Sequence, residues 1–101
     1  MKLKKINRRK LLQDAAKAAS IKGCWDDHAN CFVPAEGQIF WDPLVNDGDA
    51  FRLSQKLDID IKKEKALLLS NLSNNEGAIY PLDSFAISRL AVVLAAVRFN
   101  E

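Results

Sequence analysis

The chain has 101 residues, of which 49% are apolar and 28% are charged, and its formal net charge is +2. This composition is that of one folded, water-soluble domain with a modest core, and it excludes a disordered chain or a protein of several domains. The longest apolar stretch, residues 90–97, is shorter than the roughly 18 residues that a membrane-spanning helix needs.

The first ten residues form a basic arm. They hold six of the fifteen Lys and Arg residues and no acid, so residues 11–101 carry nine basic and thirteen acidic side chains. The basic residues of the arm are Lys2, Lys4, Lys5, Arg8, Arg9 and Lys10. Such an arm can bind phosphate backbones or an acidic partner, or it can be the solvated start of the first helix. No apolar segment follows the lysines, so we expect no secretory signal and a cytoplasmic location.

Residues 6–20 predict an amphipathic helix, because apolar side chains recur on one stripe at helical spacing. That stripe consists of Leu11, Leu12, Ala15, Ala16 and Ala19. Asn7 can cap the start of this helix, and Gly23 is its expected terminator. From residue 23 to residue 41, short apolar patches alternate with turn-forming residues, which predicts two or three short strands.

The stretch "WDPLVNDGDAFRL" predicts the start of a second helix. Pro43 ends any preceding strand, Asn46 or Asp47 stands where an N-cap belongs, and Asp49 falls in the first turn. A calcium loop would need a Glu at its twelfth position, counted from Asp42, and that position is Leu53.

After residue 57, "DIDIKK" alternates apolar and charged residues and predicts a strand, with "KALLLSNL" as its hairpin partner or, given three consecutive leucines, a helix. A long final helix begins near Pro81, Asp83 and Ser84. Its wide apolar face comprises Leu82, Phe85, Leu90, Val93, Leu94 and Val97, with Phe99 closing the core. The predicted fold is α+β: one small antiparallel or mixed sheet packed with about three helices, in the order helix, short strands, helix, two strands, helix.

The segment "CWDDHANC" brings Cys24, His28 and Cys31 close together in sequence. They could hold a metal ion, but the chain has two cysteines and one histidine, short of the four ligands of a structural zinc site. In a hairpin the two cysteines would lie near opposing positions, as buried thiols or as a disulfide. One imidazole and four scattered glycines offer neither a catalytic set nor a phosphate loop, so we expect no enzyme and no cofactor.

Three stretches, "LLQDAAKAASIKGCW", "WDPLVNDGDAFRLSQKLDIDI" and "DSFAISRLAVVLAAV", resemble a family of small phage and prophage proteins described as the phage ABA sandwich domain. The usual family pattern is Trp-Asn-Pro-Leu, then Asp-Asp-Gly-Asp-Ala and Arg-Leu. It is matched by Trp41, Pro43, Leu44, Asp47, Gly48, Asp49, Ala50, Arg52 and Leu53, while Asp42 stands where Asn is usual and the polar segment before the last helix is shorter. The resemblance implies a single α/β/α domain over residues 11–101 and no established activity.

The resemblance also implies a bacterial host cell. We therefore expect a phage-derived, non-enzymatic binding protein that inhibits a host protein or defence complex, as anti-CRISPR proteins do. The residues predicted to meet that partner are Trp25, Asp42, Asp47, Asp49, Asp58 and Asp60, since an acidic face can dock on a basic groove and a Trp can anchor it. The alternative is a nucleic-acid accessory protein that uses the basic arm.

Overall fold

Four helices and one hairpin make up the computed structural model, which describes residues 7–36, 40–73 and 84–99. In chain order they are α1 (Arg8–Ala18), β1 (Gly23–Asp26), β2 (Cys31–Pro34), α2 (Asp47–Lys56), α3 (Ile61–Ser73) and α4 (Ser84–Arg98). The predicted α+β class is confirmed, with one helix more than expected. Among the described residues the sheet has two antiparallel strands.

Helix α1 begins as predicted, because the Asn7 side chain accepts a hydrogen bond from the backbone N–H of Lys10 at 3.0 Å. The helix ends earlier than expected. Ser20 adopts a left-handed φ of 59°, and the next N–H, that of Ile21, donates to the carbonyl of Ala16 at 2.8 Å. This is a Schellman ending built without glycine. Gly23, the expected terminator, starts β1 instead.

The hairpin pairs Trp25 with Phe32 and turns through residues 27–30. The sequence predicted two or three strands, with the third near residues 39–41. Trp41 forms one isolated bridge to Phe32, donating its N–H to the Phe32 carbonyl at 2.9 Å, and residues 37–39 lie outside the described part of the chain. The rings of Phe32 and Trp41 meet edge to face, with their centroids 5.9 Å apart. This favourable aromatic geometry packs the hairpin against the core.

Helix α4 is the central element of the core, as predicted, and it packs against α1, α2 and α3. Its buried positions run almost all round the helix: Leu90, Ala91, Val92, Val93, Ala95 and Ala96. The alanines of α1 allow close approach of this helix. Phe85 and Phe99 were predicted to join the core and do not, since they are 69% and 60% exposed. They lie before and after the buried span of α4, and Pro81, Leu82 and Asp83 of the predicted helix lie outside the described residues.

The two strands predicted between residues 58 and 72 are wrong, because residues 61–73 form the helix α3, and the helix alternative for "KALLLSNL" is confirmed. The alternation of Ile59 and Ile61 comes from a helix junction. Ile59 closes a second Schellman ending, with Asp58 left-handed at φ 54°, and Ile61 starts α3. Between them Asp60 caps α3, since its carboxylate accepts from the Lys63 N–H at 3.1 Å. Leu68 then packs against α4.

Candidate functional site

The acidic stretch before and inside the first turn of α2 is mainly a structural network. Asn46 is the N-cap, and its side chain accepts from the backbone N–H of Asp49 at 2.9 Å. The Asp49 side chain is buried, at 3% exposure for the residue, and accepts from the Asp42 N–H at 2.9 Å and from the Arg52 guanidinium at 2.6 Å. These hydrogen bonds satisfy the buried Asp49 carboxylate, which therefore stabilises the start of α2.

Asp42 extends this network to α1 and to the hairpin. Its carboxylate forms an ion pair with Arg8 and accepts from the Leu44 N–H at 3.2 Å. The Arg8 Nε–H donates to the carbonyl of Asn30 in the hairpin turn at 2.9 Å. Arg8, predicted as part of a phosphate-binding arm, therefore holds three parts of the fold together.

The other acidic candidates occupy the exposed ends of helices. Asp47 is exposed and pairs with Arg89 of α4 at 2.6 Å. Asp58 and Asp60 are exposed at the junction of α2 and α3, where they supply the left-handed residue and the cap described above. The five carboxylates thus do not form one face, and their contact with a partner stays a prediction. Trp25, the sixth candidate, is half-buried and packs against the core.

Part of the basic arm is helical. Arg9 and Lys10 lie in the first turn of α1, exposed, with ion pairs to Asp27 at 4.0 Å and to Asp14 at 3.3 Å. Both cations are exposed to solvent, and exposed ion pairs of this kind contribute little to stability. Lys2, Lys4 and Lys5 lie outside the described residues.

The hairpin does not bring the cysteines face to face. Its register opposes Cys24 to Val33 and Cys31 to Asp26, so the expectation of opposing thiols is wrong. Cys24 is exposed and Cys31 is buried, both as free thiols. His28 is exposed in the turn, where its backbone N–H donates to Asp26 at 2.9 Å. Within residues 7–36, 40–73 and 84–99, no group of three or more His, Cys, Asp or Glu side chains is placed to hold a metal ion.

We expect the two thiols to react at very different rates. Burial raises the pKa of Cys31, the nearby Asp42 carboxylate raises it further, and Arg8 partly opposes this. Because the thiolate is the nucleophile, iodoacetamide at neutral pH should modify Cys24 rapidly and Cys31 at least tenfold more slowly. Mass spectrometry over time measures both.

The raised pKa of Cys31 also predicts that the free energy of unfolding falls as the pH rises above the usual pKa of a thiol. The reason is that the unfolded chain loses this proton at a lower pH than the folded protein does.

The contrast between the two thiols should disappear in denaturant, where both are solvated. Cys24→Ser is the control, since the folded variant should then show only the slow reaction. Rapid modification of Cys31 in the folded variant would contradict the buried position of this side chain.

Three exposed apolar side chains lie next in sequence to, or one helical turn from, the residues that join α2 to α4. Arg89 of α4 donates through Nε to the carbonyl of Leu44 at 3.0 Å and pairs with Asp47. Val45 follows Leu44, Phe51 lies one turn after Asp47 on α2, and Phe85 lies one turn before Arg89 on α4. Val45 and Phe51 are 66% and 57% exposed. We call Val45, Phe51 and Phe85 the Phe51–Phe85 patch.

Sequence reasoning missed this patch. Phe85 was predicted to lie in the core, and Val45 and Phe51 were not singled out. The signal for Phe51 is its spacing. It lies about 100° round the helix from Ala50, away from Leu53, and four residues after Asp47, which puts it on the solvent-facing side.

The fold and these contacts define a small α+β domain with an exposed apolar patch beside a network of carboxylates and arginines. Comparison of the chain with protein-family models, with curated proteins and with solved structures found no match. The resemblance to the phage ABA sandwich proteins therefore stays a prediction. None of the described helices is long and apolar enough to cross a membrane.

Proposed function

We propose that this chain is a phage-derived, non-enzymatic binding protein that inhibits a bacterial host protein or defence complex, and that it binds through the Phe51–Phe85 patch. The observation that carries the proposal is the exposure of three large apolar side chains, each within one helical turn in sequence of Asp47 or Arg89, which form an ion pair. Exposed apolar clusters with polar surroundings mark interaction sites, and aromatic side chains are frequent anchors. The phage origin is supported by the sequence resemblance.

The patch is held on elements that need little ordering when a partner binds. Arg89 links α4 to Asp47 and to the carbonyl of Leu44, and the Asn46 cap holds the start of α2. A surface that is already ordered loses less conformational entropy on binding, so more of the contact energy appears as affinity.

Fewer of the predicted acidic side chains are proposed to contact the partner than the sequence suggested. Asp42 and Asp49 support the fold, whereas Asp47 is exposed beside the patch. A partner with an apolar surface and a basic residue at its rim would complement this arrangement, because rim charges steer association and orientation. The non-enzymatic character is supported by His28, the only imidazole in the chain, which lies exposed in the hairpin turn.

The proposal is tested by comparing the two phenylalanines of the patch with Phe99, which lies outside it. The tagged protein is used to capture partners from a bacterial host lysate, alongside the double variant Phe51→Ser/Phe85→Ser and the control Phe99→Ser. Phe99 is as exposed as the patch residues and follows α4, at its opposite end from Phe85. We expect a partner protein that the control retains and the double variant loses by at least tenfold, as for an interface hot spot.

The captured partner is then purified and its activity measured with and without the protein. Equal capture by the double variant would remove the patch from the proposal, and unchanged partner activity at saturating protein would remove the inhibitory function. Circular dichroism of each variant checks the fold.

The basic arm is tested in the same capture by removing residues 1–6, with and without nuclease. The deletion stops there because Arg8 is bonded to Asp42 and to the hairpin turn, so a deletion of residues 1–10 would destabilise the fold as well as remove charge. Capture that requires both the arm and nucleic acid would favour the nucleic-acid alternative.

A further inference from the structure

A groove of about 240 Å³ lies between the end of α1, the end of β2 and α2. Its apolar lining includes Ile21, Trp41 and Leu53, and its charged lining consists of Glu36, Arg52 and Lys56. This volume is below the roughly 300–1,000 Å³ of pockets that enclose drug-sized ligands, so it suits one large side chain and its attached main chain.

The groove and the Phe51–Phe85 patch lie on different flanks of α2. At 100° per residue, Arg52 and Lys56 lie about 40° apart, and Arg52 lies about 100° from Phe51. Arg52 and Lys56 are one turn apart, so their side chains can reach one anionic group between them. Arg52 also pairs with Asp49, which leaves the other donors of its guanidinium for a ligand.

We propose that this groove binds the C-terminal end of a partner polypeptide whose last residue is apolar. The apolar side chain packs on Ile21, Trp41 and Leu53, and the terminal carboxylate accepts hydrogen bonds from Arg52 and Lys56. Glu36 accepts from a main-chain N–H of the same peptide. This goes beyond the proposed function, because it uses another flank of α2 and neither site depends on the other.

The mixed charge of the lining selects a peptide end over other anionic ligands. Two cations favour a carboxylate, whereas Glu36 opposes a simple anion and needs a hydrogen-bond donor. A peptide end presents both, an anionic terminus and an N–H donor, next to an apolar side chain. A fatty acid or an isolated aromatic acid has no such N–H.

The test is an NMR titration of the full chain, labelled with ¹⁵N, using the peptide acetyl-Gly-Gly-Gly-Phe with a free carboxylate. We expect saturable shifts at the Trp41 indole N–H and at the backbone N–H groups of Ile21 and Lys56. The same peptide with an amidated C-terminus should bind about tenfold or more weakly, because it lacks the charge-assisted hydrogen bonds. The free acid 3-phenylpropanoate should also bind about tenfold more weakly.

The variant Lys56→Gln should weaken the peptide by about tenfold, and Lys62→Gln, an exposed lysine on α3, is the matched control and should change nothing. Equal binding of the peptide and its amide, or of the peptide and 3-phenylpropanoate, would overturn the proposal, as would the absence of shifts in the groove at millimolar peptide. Because the double variant of the patch should bind the peptide normally, failure of this site is distinct from failure of the proposed function.

Discussion

Replacing Asp49 by Ala should lower the free energy of unfolding by about 3 kcal/mol. The carboxylate is buried and accepts from the half-buried Asp42 N–H and from the exposed Arg52, so its removal leaves the Asp42 donor without its acceptor and Arg52 without its anion. Asp42 also anchors Arg8, and the loss is therefore expected to loosen α1 as well as α2. Urea unfolding, followed by tryptophan fluorescence, measures the change.

Two matched variants separate this structural role from a surface role. Asp49→Asn keeps an acceptor for Asp42 and should lose about half as much stability. Asp47→Ala removes an exposed carboxylate from the same turn and should cost about 1 kcal/mol or less. If Asp49→Ala were as stable as the wild type while Asp47→Ala unfolded readily, the assignment of these two carboxylates would be reversed.

The local signals in the sequence predicted the starts of α1 and α2 well. Asn7 and Asn46 cap these helices in the structure, because a cap depends on one side chain and the N–H two or three residues ahead. Helix α4 was also predictable, since its apolar residues occur on nearly every side, as expected for a core helix. These features depend on contacts within one element or on composition alone.

The helix ends and the strand pattern after residue 57 were not predictable in the same way. Ser20 and Asp58 take the left-handed conformation that usually falls to glycine, and the following isoleucines, Ile21 and Ile59, pack against the core. That tertiary contact stabilises the turn. Without knowledge of the contact, the isoleucines at positions 59 and 61 resemble one face of a strand.

The candidate site was the least predictable part. The carboxylates between residues 42 and 60 look alike in sequence, yet Asp49 is buried in a network while Asp47 faces solvent. The surroundings of Asp42 and Asp47 depend on distant arginines, since Arg8 pairs with Asp42 from 34 residues away and Arg89 pairs with Asp47 from 42 residues away. Such long-range pairs set which acids are free to meet a partner, and no local spacing encodes them.

Replacing Gly23 by Ala should also lower the free energy of unfolding by about 3 kcal/mol, at the upper end of the cost of overpacking. A Cβ at this position would lie 2.2 Å from the Val33 carbonyl oxygen and 2.8 Å from the Pro34 Cα. Both are backbone atoms, so β1 and β2 must separate to admit the methyl group. The separation would draw Phe32 away from Trp41, and tryptophan fluorescence should report the change together with urea unfolding.

Gly48→Ala is the control, because the same methyl group meets different neighbours there. Its nearest contacts are side-chain ends: Arg52, at 3.3 Å, can rotate away, and the Asn46 oxygen, at 3.2 Å, needs to shift by only a few tenths of an ångström while it keeps its bond to the Asp49 N–H. Alanine also favours the helix, so this variant should be unchanged or more stable by up to about 1 kcal/mol. Opposite responses to one added methyl group would locate the close approach at the hairpin. A stable Gly23→Ala variant with an intact pairing of Trp25 and Phe32 would show that the strands lie further apart than described.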